Sequence, residues 1–146
     1  MFFIEYDVLD AGWAKGRIGD LEKSIDFVVS YLHDSLKELA ESAINIQTKD
    51  YAKVVFMDEP GEFILELTRK DNLIIYQLKW YPDWYSWNMI NTDNYQIQLE
   101  GKTTVAKYIN QVREVLIKIL NKMNPEAYKE KWVLHEFPTN EYNLLK

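Results

Sequence analysis

Hydrophobic and polar positions alternate from the first residues of the chain. Phe2, Ile4, Tyr6 and Val8 interleave with Phe3, Glu5, Asp7 and Leu9, the period of a half-buried strand. Gly12, Gly16 and Gly19 crowd around Trp13 and predict a turn into a bent or bulged second strand. Ser24 to Val29 reads as a third strand. Ser30 then stands where a helix N-cap is expected, because Leu32, Leu36, Leu39, Ala43 and Ile46 recur at helical spacing to about Gln47.

The middle of the chain predicts two consecutive hairpins. Asp58-Glu59-Pro60-Gly61 joins Tyr51–Met57 to Glu62–Lys70, and Asp71-Asn72 joins that run to Leu73–Tyr81. Counting back from the Asp71-Asn72 turn pairs Leu67 with Tyr76, Leu65 with Leu78 and Phe63 with Trp80 on one face. The opposite face pairs Glu66 with Gln77 and Ile64 with Lys79. Counting from the other loop puts Phe56, Val54 and Ala52 on the Phe63 face, with Lys53 opposite Glu66, so two independent registers agree.

A further strand, Tyr95–Glu100, alternates Tyr95, Ile97 and Leu99 with Gln96, Gln98 and Glu100. The longest amphipathic helix is expected from about Thr104 to Met123, with Val105, Tyr108, Ile109, Val112, Val115, Leu116, Ile119, Leu120 and Met123 on its apolar stripe. Asn124-Pro125 opens a short helix to about Trp132, since Asn caps well and Pro suits the first helical position. The tail Thr139–Lys146 has room for one more turn. Together these elements predict a single α+β domain over residues 1–146: an antiparallel sheet of about six to seven strands, two main amphipathic helices on one of its faces, and a short C-terminal helix. The uncovered face would then display Glu5, Asp7, Lys53, Glu66, Gln77, Lys79, Gln96, Gln98 and Glu100 around Val55, Ile64 and Ile75.

Composition narrows the chemistry. At 146 residues with 47% hydrophobic content, the chain is long enough to bury a core without disulfides or metals. It has no cysteine, which removes disulfide scaffolds, thiolate metal sites and cysteine nucleophiles. The N-terminus is acidic within five residues and lacks the basic start of an export signal, and no apolar run approaches the roughly 20 residues of a membrane span, so a cytoplasmic protein is expected. The net charge is −6, and it is unevenly placed: residues 1–66 carry 14 acidic against 6 basic side chains, the remainder 9 against 11. That balance disfavours nucleic acid, whose binding draws on Lys and Arg at phosphates, and suits a basic protein partner.

The most unusual segment is Trp80-Tyr81-Pro82-Asp83-Trp84-Tyr85-Ser86-Trp87, with three of the five tryptophans in eight residues. Pro82 ends the strand, so the aromatic rings beyond it fall on a loop. Two readings stand: an interface anchor rich in Trp and Tyr, or a lid folded over the sheet end against Trp13 or Trp132. The acidic loop Asp58, Glu59 and Glu62 would supply charge partners to a basic surface, or simply keep an exposed turn soluble. Neither His33 nor His135 sits in a recognised catalytic spacing, and Gly12, Gly16 and Gly19 do not match GxGxxG. No metal ligand set and no cofactor motif is present in the sequence.

The order of Ala11-Gly12-Trp13-Ala14, Ser30-Tyr31-Leu32, Asp58-Glu59-Pro60-Gly61-Glu62, Trp132 and Phe137-Pro138 resembles a group of small bacterial proteins of unassigned function. In size, acidity and α+β style the chain is similar to immunity proteins of polymorphic and contact-dependent toxin systems. That likeness implies a non-enzymatic protein that neutralises a basic toxin domain and needs no cofactor. Under this expectation Asp83, Trp84, Tyr85 and Trp87 anchor the partner, with Asp58 and Glu59 as charge partners. The alternative is a small-molecule binder or modest hydrolase with a pocket under residues 80–87, using Asp83 or His135. A homodimer through the outer sheet face is a third arrangement.

Overall fold

The computed structural model describes residues 1–58, 61–82, 95–133 and 135–146. Within these residues the chain is α+β, with β1 (Phe3–Val8), β2 (Trp13–Gly19), β3 (Ser24–Ser30), α1 (Ser35–Asn45), β4 (Tyr51–Met57), β5 (Glu62–Lys70), β6 (Leu73–Tyr81), β7 (Gln96–Thr104), α2 (Val105–Lys122), α3 (Pro125–Trp132) and α4 (Thr139–Leu145).

The seven strands form two antiparallel sheets, β1-β2-β3 and β4-β5-β6-β7, where one continuous sheet was expected. The division has a local cause. The edge of β4 that could have continued the ladder is taken by α1: Ser35 Oγ donates to the Val55 carbonyl at 2.6 Å, and Glu38 Oε1 accepts from the Val55 N–H. Side chains of a helix thus cap a strand edge that would otherwise seek another strand. Helix α2 does the same at β1, where the Ile4 N–H donates to Gln111 Oε1 at 3.0 Å.

The two sheets meet through aromatic rings. Phe27 of β3 lies 4.7 Å from Phe56 and 5.5 Å from Phe63, and Phe2, just before β1, lies 4.8 Å from Tyr76. With Leu36, Leu39 and Ala43 of α1 and Tyr108, Val112 and Leu116 of α2, these side chains make one core. The hairpin registers are those of the sequence pattern, including Phe63 with Trp80 and Lys53 with Glu66. Asn124 caps α3, as expected, and Thr104, where the second helix was expected to begin, stands one residue ahead of α2 as its cap.

Four details differ from the sequence pattern. Helix α1 is capped by Asp34, which accepts from the Lys37 N–H; Ser30 instead pairs with Trp13 at the end of β3. Strand β2 carries no bulge and keeps unbroken register with both neighbours. Its Gly16 is required by close approach, since a Cβ there would stand 2.5 Å from the Phe27 ring. The irregularity falls in β7, where the register slips between Leu78 and Lys79. Ile97 is thereby turned opposite Lys79 and left 47% exposed, away from the face it would have shared with Leu99. Finally, part of the outer face is covered: Val55, Met57, Ile64 and Tyr81 form a second apolar cluster closed by Leu32, a residue freed for this by the later start of α1.

Candidate binding surface at the opening of helix α1

Leu32 determines what lies next to what. Because it closes the cluster on Val55, Met57, Ile64 and Tyr81, the opening of α1 sits at one end of the larger sheet. Met57, Glu62 and Tyr81 are register partners across that same end. The hairpin loop leaves from Met57, and the aromatic segment leaves after Tyr81.

Of the residues expected to bind a partner, Asp58 is half-buried and its N–H donates to the Gly61 carbonyl at 2.8 Å, closing the loop. Glu59, Asp83, Trp84, Tyr85 and Trp87 lie outside the described residues. Glu62 differs from the expectation of an exposed acidic tip, for it is fully buried, and Gly61 beside it is packed under the Trp80 ring. Trp80 stacks at 4.7 Å on Phe63, on the face that the register predicts, and Tyr81 lies 5.5 Å from Tyr95.

Further along the outer face, Glu66 is bound by two partners. Lys79 Nζ stands 2.5 Å from Glu66 Oε1, and the Tyr51 hydroxyl donates to Glu66 Oε2 at 2.7 Å. Burial by itself would raise the Glu66 carboxyl, but the bonds from Lys79 and Tyr51 outweigh it and hold the group below its usual range. Lys79 also lies 4.5 Å over the Tyr95 ring, and the cleft among these side chains measures about 230 Å³. Leu73, Ile75 and Ile97 remain exposed on this face.

The opening of α1 is organised differently. Asp34 caps the helix with one oxygen, and its Oδ2 lies 3.6 Å from His135 Nδ1. His135 Nε2 lies 2.8 Å from the Tyr31 carbonyl oxygen. Behind Asp34 stand three buried polar atoms, Tyr6 Oη, Tyr128 Oη and Trp132 Nε1, none with a hydrogen-bond partner among the described residues. Trp132 Nε1 is close enough to lower the Asp34 carboxyl yet falls outside hydrogen-bond geometry. Burial dominates, and Asp34 is raised above the ordinary carboxylate range despite His135, the Lys37 N–H and Trp132. Tyr6 and Tyr128 are raised well above an ordinary phenol by burial, and the Asp34 charge adds to it.

In front of Asp34 is an open polar groove of about 430 Å³, bordered by Lys37, His135, Glu136 and Glu141. Glu41, one turn of α1 further on, is raised by burial and by the charges of Glu141, Glu38 and Asp34, which together outweigh Lys37. Carboxylates therefore dominate the surface that α1 and α4 share. Sequence reasoning missed Asp34, Tyr6, Tyr128 and Trp132 as a group because they come from β1, the β3–α1 corner and α3. The readable signal was Asp34-Ser35-Leu36, an N-cap residue directly ahead of the apolar stripe.

His135 Nε2 is not available as a base in this geometry. It is committed to a backbone carbonyl, which only accepts, so that nitrogen carries a proton in the neutral ring. No group of three or more His, Asp or Glu residues able to hold a metal ion occurs among the described residues, and no described helix is long and apolar enough to cross a membrane.

No protein-family model matches the chain, and no curated protein matches it. Among solved structures, a chain of the CdiA-CT/CdiI toxin and immunity complex from Enterobacter cloacae is similar at a TM-score of 0.47 and 15% identity, over 79% of this chain and 98% of that one.

Proposed function

We propose that the protein is a non-enzymatic binding protein of immunity type that docks an acidic surface with aromatic anchors onto a basic toxin domain. One observation carries this reading: Leu32 brings the acidic opening of α1 to the sheet end from which both the Asp58 loop and the aromatic segment depart. The acidic opening of α1 and the point at which the chain leaves β6 then share one end of the larger sheet. The carboxylates of α1 and α4, with Asp58 and Glu59, would accelerate encounter with a basic partner, and Trp84, Tyr85 and Trp87 beside Asp83 would slow its release.

The test is a binding measurement against a purified basic toxin domain. The double variant Trp84→Ala, Trp87→Ala should weaken affinity at least about 100-fold through faster dissociation, the scale of paired hot-spot residues. Asp58→Ala with Glu59→Ala should chiefly slow association and flatten its salt dependence. If the double tryptophan variant stays folded and binds as the parent does, the aromatic anchors are wrong.

A further inference from the structure

We propose that the protein pairs with a second copy of itself through the free edge of β7, two four-stranded sheets joining into one antiparallel sheet about a two-fold axis at Gly101. The occupant of the edge is this same chain, so the inference is independent of the toxin-binding reading.

The two sheets have four edge strands, β1, β3, β4 and β7. Helix α1 occupies the β4 edge at Val55, and helix α2 bonds β1 at Ile4. Strand β7 is the longest of the four, and it contains no proline. It has β6 on one side and, among the described residues, no backbone partner on the other. Glu100, Lys102 and Thr104 are exposed along it. A long open edge of this kind is a template for another strand.

The direction of its free backbone groups follows from the ladder with β6. The Val105 N–H donates to the Asn72 carbonyl at 2.9 Å, one position beyond the register pair Leu73 and Thr104. Hydrogen-bonded and non-hydrogen-bonded pairs alternate along an antiparallel ladder, so Ile74 with Thr103 and Tyr76 with Gly101 are bonded pairs. Glu100, Lys102 and Thr104 therefore turn their N–H and carbonyl groups away from β6, toward the open edge. The two-residue turn Asp71-Asn72 gives the same phase from the other side. It makes Lys70 and Leu73 a bonded pair between β5 and β6, which leaves Ile74 to bond β7.

The charges on this edge select both the register and the partner. Glu100 and Lys102 are two residues apart and share the outer face, where Gln77 Nε2 donates to Glu100 Oε2 at 3.1 Å. With the axis at Gly101, Glu100 of each copy stands opposite Lys102 of the other. Both of these residues direct their backbone groups to the edge, so each pair exchanges two backbone hydrogen bonds as well as opposite charges. The contact is isologous and closes on two copies. Sliding the strands by two residues would set Glu100 against Glu100 in one direction and Lys102 against Lys102 in the other, and like charges directly opposite are unfavourable. A lysine on an edge ordinarily keeps other strands away, and here the neighbouring glutamate cancels it. Strand β3 lacks this property, because Asp26 is its only charged residue and self-pairing there brings in no opposite charge. At the axis Gly101 meets its own copy in a non-hydrogen-bonded pair, where Cα atoms come nearest, and adds no side chain between them.

Light scattering of the intact chain from about 1 μM to about 1 mM reads the association. The mass should rise with concentration toward twice 17.4 kDa, and a monomer throughout overturns the proposal. Amide hydrogen exchange locates the contact: the Glu100 and Lys102 amides should slow as the dimer fills, while Gly101, bonded to β6 in either state, should change little. A dimer whose Glu100 and Lys102 amides stay unprotected uses another surface and overturns the edge. Glu100→Lys and Lys102→Glu should each weaken the dimer about tenfold or more by setting like charges opposite, and the two substitutions together should restore it. A doubly substituted chain as weakly associated as the single variants overturns the register and the axis at Gly101.

Discussion

Glu66 and Asp34 are both largely screened from water, and their surroundings move them in opposite directions. Glu66 sits on the outer face of a regular sheet, where register alone delivers Lys79 from β6 and Tyr51 from β4 to its two oxygens. Burial is overcome and the carboxyl is lowered. Asp34 sits where three separate parts of the chain converge, with contacts at 3.4 Å to the Lys37 N–H and 3.6 Å to His135, and burial wins. A ladder supplies partners at fixed intervals, whereas a corner assembled from distant segments leaves polar atoms poorly matched. Mismatch of that kind gathers at the surface proposed to meet a partner.

The contrast can be broken most forcefully at the corner's apolar support. Trp132 is fully buried in the main core. Trp132→Ala should cost about 3–5 kcal/mol in denaturant unfolding, whereas Tyr51→Phe on the outer face should cost about 1 kcal/mol or less. Equal effects would mean that the corner is not part of the core.

A finer comparison concerns three buried tyrosines. Ser42 Oγ donates to the Leu39 carbonyl at 2.6 Å, so its 2.7 Å contact with Tyr108 has the phenol as donor. Tyr108→Phe should therefore destabilise by about 1 kcal/mol, while Tyr6→Phe and Tyr128→Phe, whose hydroxyls lack described partners, should be neutral or slightly stabilising. A loss at Tyr128→Phe as large as at Tyr108→Phe would show that the corner hydroxyls are matched after all.

The smallest effect is in the pH dependence of stability, and its sign separates the two carboxylates. The depressed Glu66 contributes stability above the unfolded glutamate range and loses it as pH falls through its folded value. Asp34 is raised, so its contribution is present below the unfolded aspartate range and is lost as pH rises through its folded value. Glu66→Gln should accordingly lower stability at neutral pH and flatten the acid limb, whereas Asp34→Asn should raise stability at neutral pH relative to acid. Chemical denaturation across the acid range reads both, and changes of the same sign would contradict the comparison.

The elements legible in the sequence are those whose geometry is local. Alternation of period two and two short turns determined β4, β5 and β6 with their register, because a slip of one residue would turn Phe63, Leu65 and Leu67 to the wrong face. The cap at Asn124 was equally readable, since its side chain accepts from a backbone N–H three residues on. The α1 cap was misplaced at Ser30 because Leu32 fits the helical stripe by spacing while tertiary packing assigns it to the Val55 cluster. Asp58 and Trp80 were legible as features of a hairpin end. The convergence of Asp34, His135, Tyr6, Tyr128 and Trp132 was not.

By itself the sequence determined the α+β class, the hairpin registers, most helix starts and an excess of carboxylates in the first half of the chain. The tertiary structure decided that the strands form two sheets, because Ser35 and Glu38 occupy the β4 edge. It also decided that the acidic start of α1 adjoins the end of the larger sheet and that His135 comes within 3.6 Å of Asp34. Periodicity records which face of an element is buried, but not which distant element covers it. That choice belongs to packing, where residues about a hundred positions apart, such as Tyr31 and His135, come within 2.8 Å.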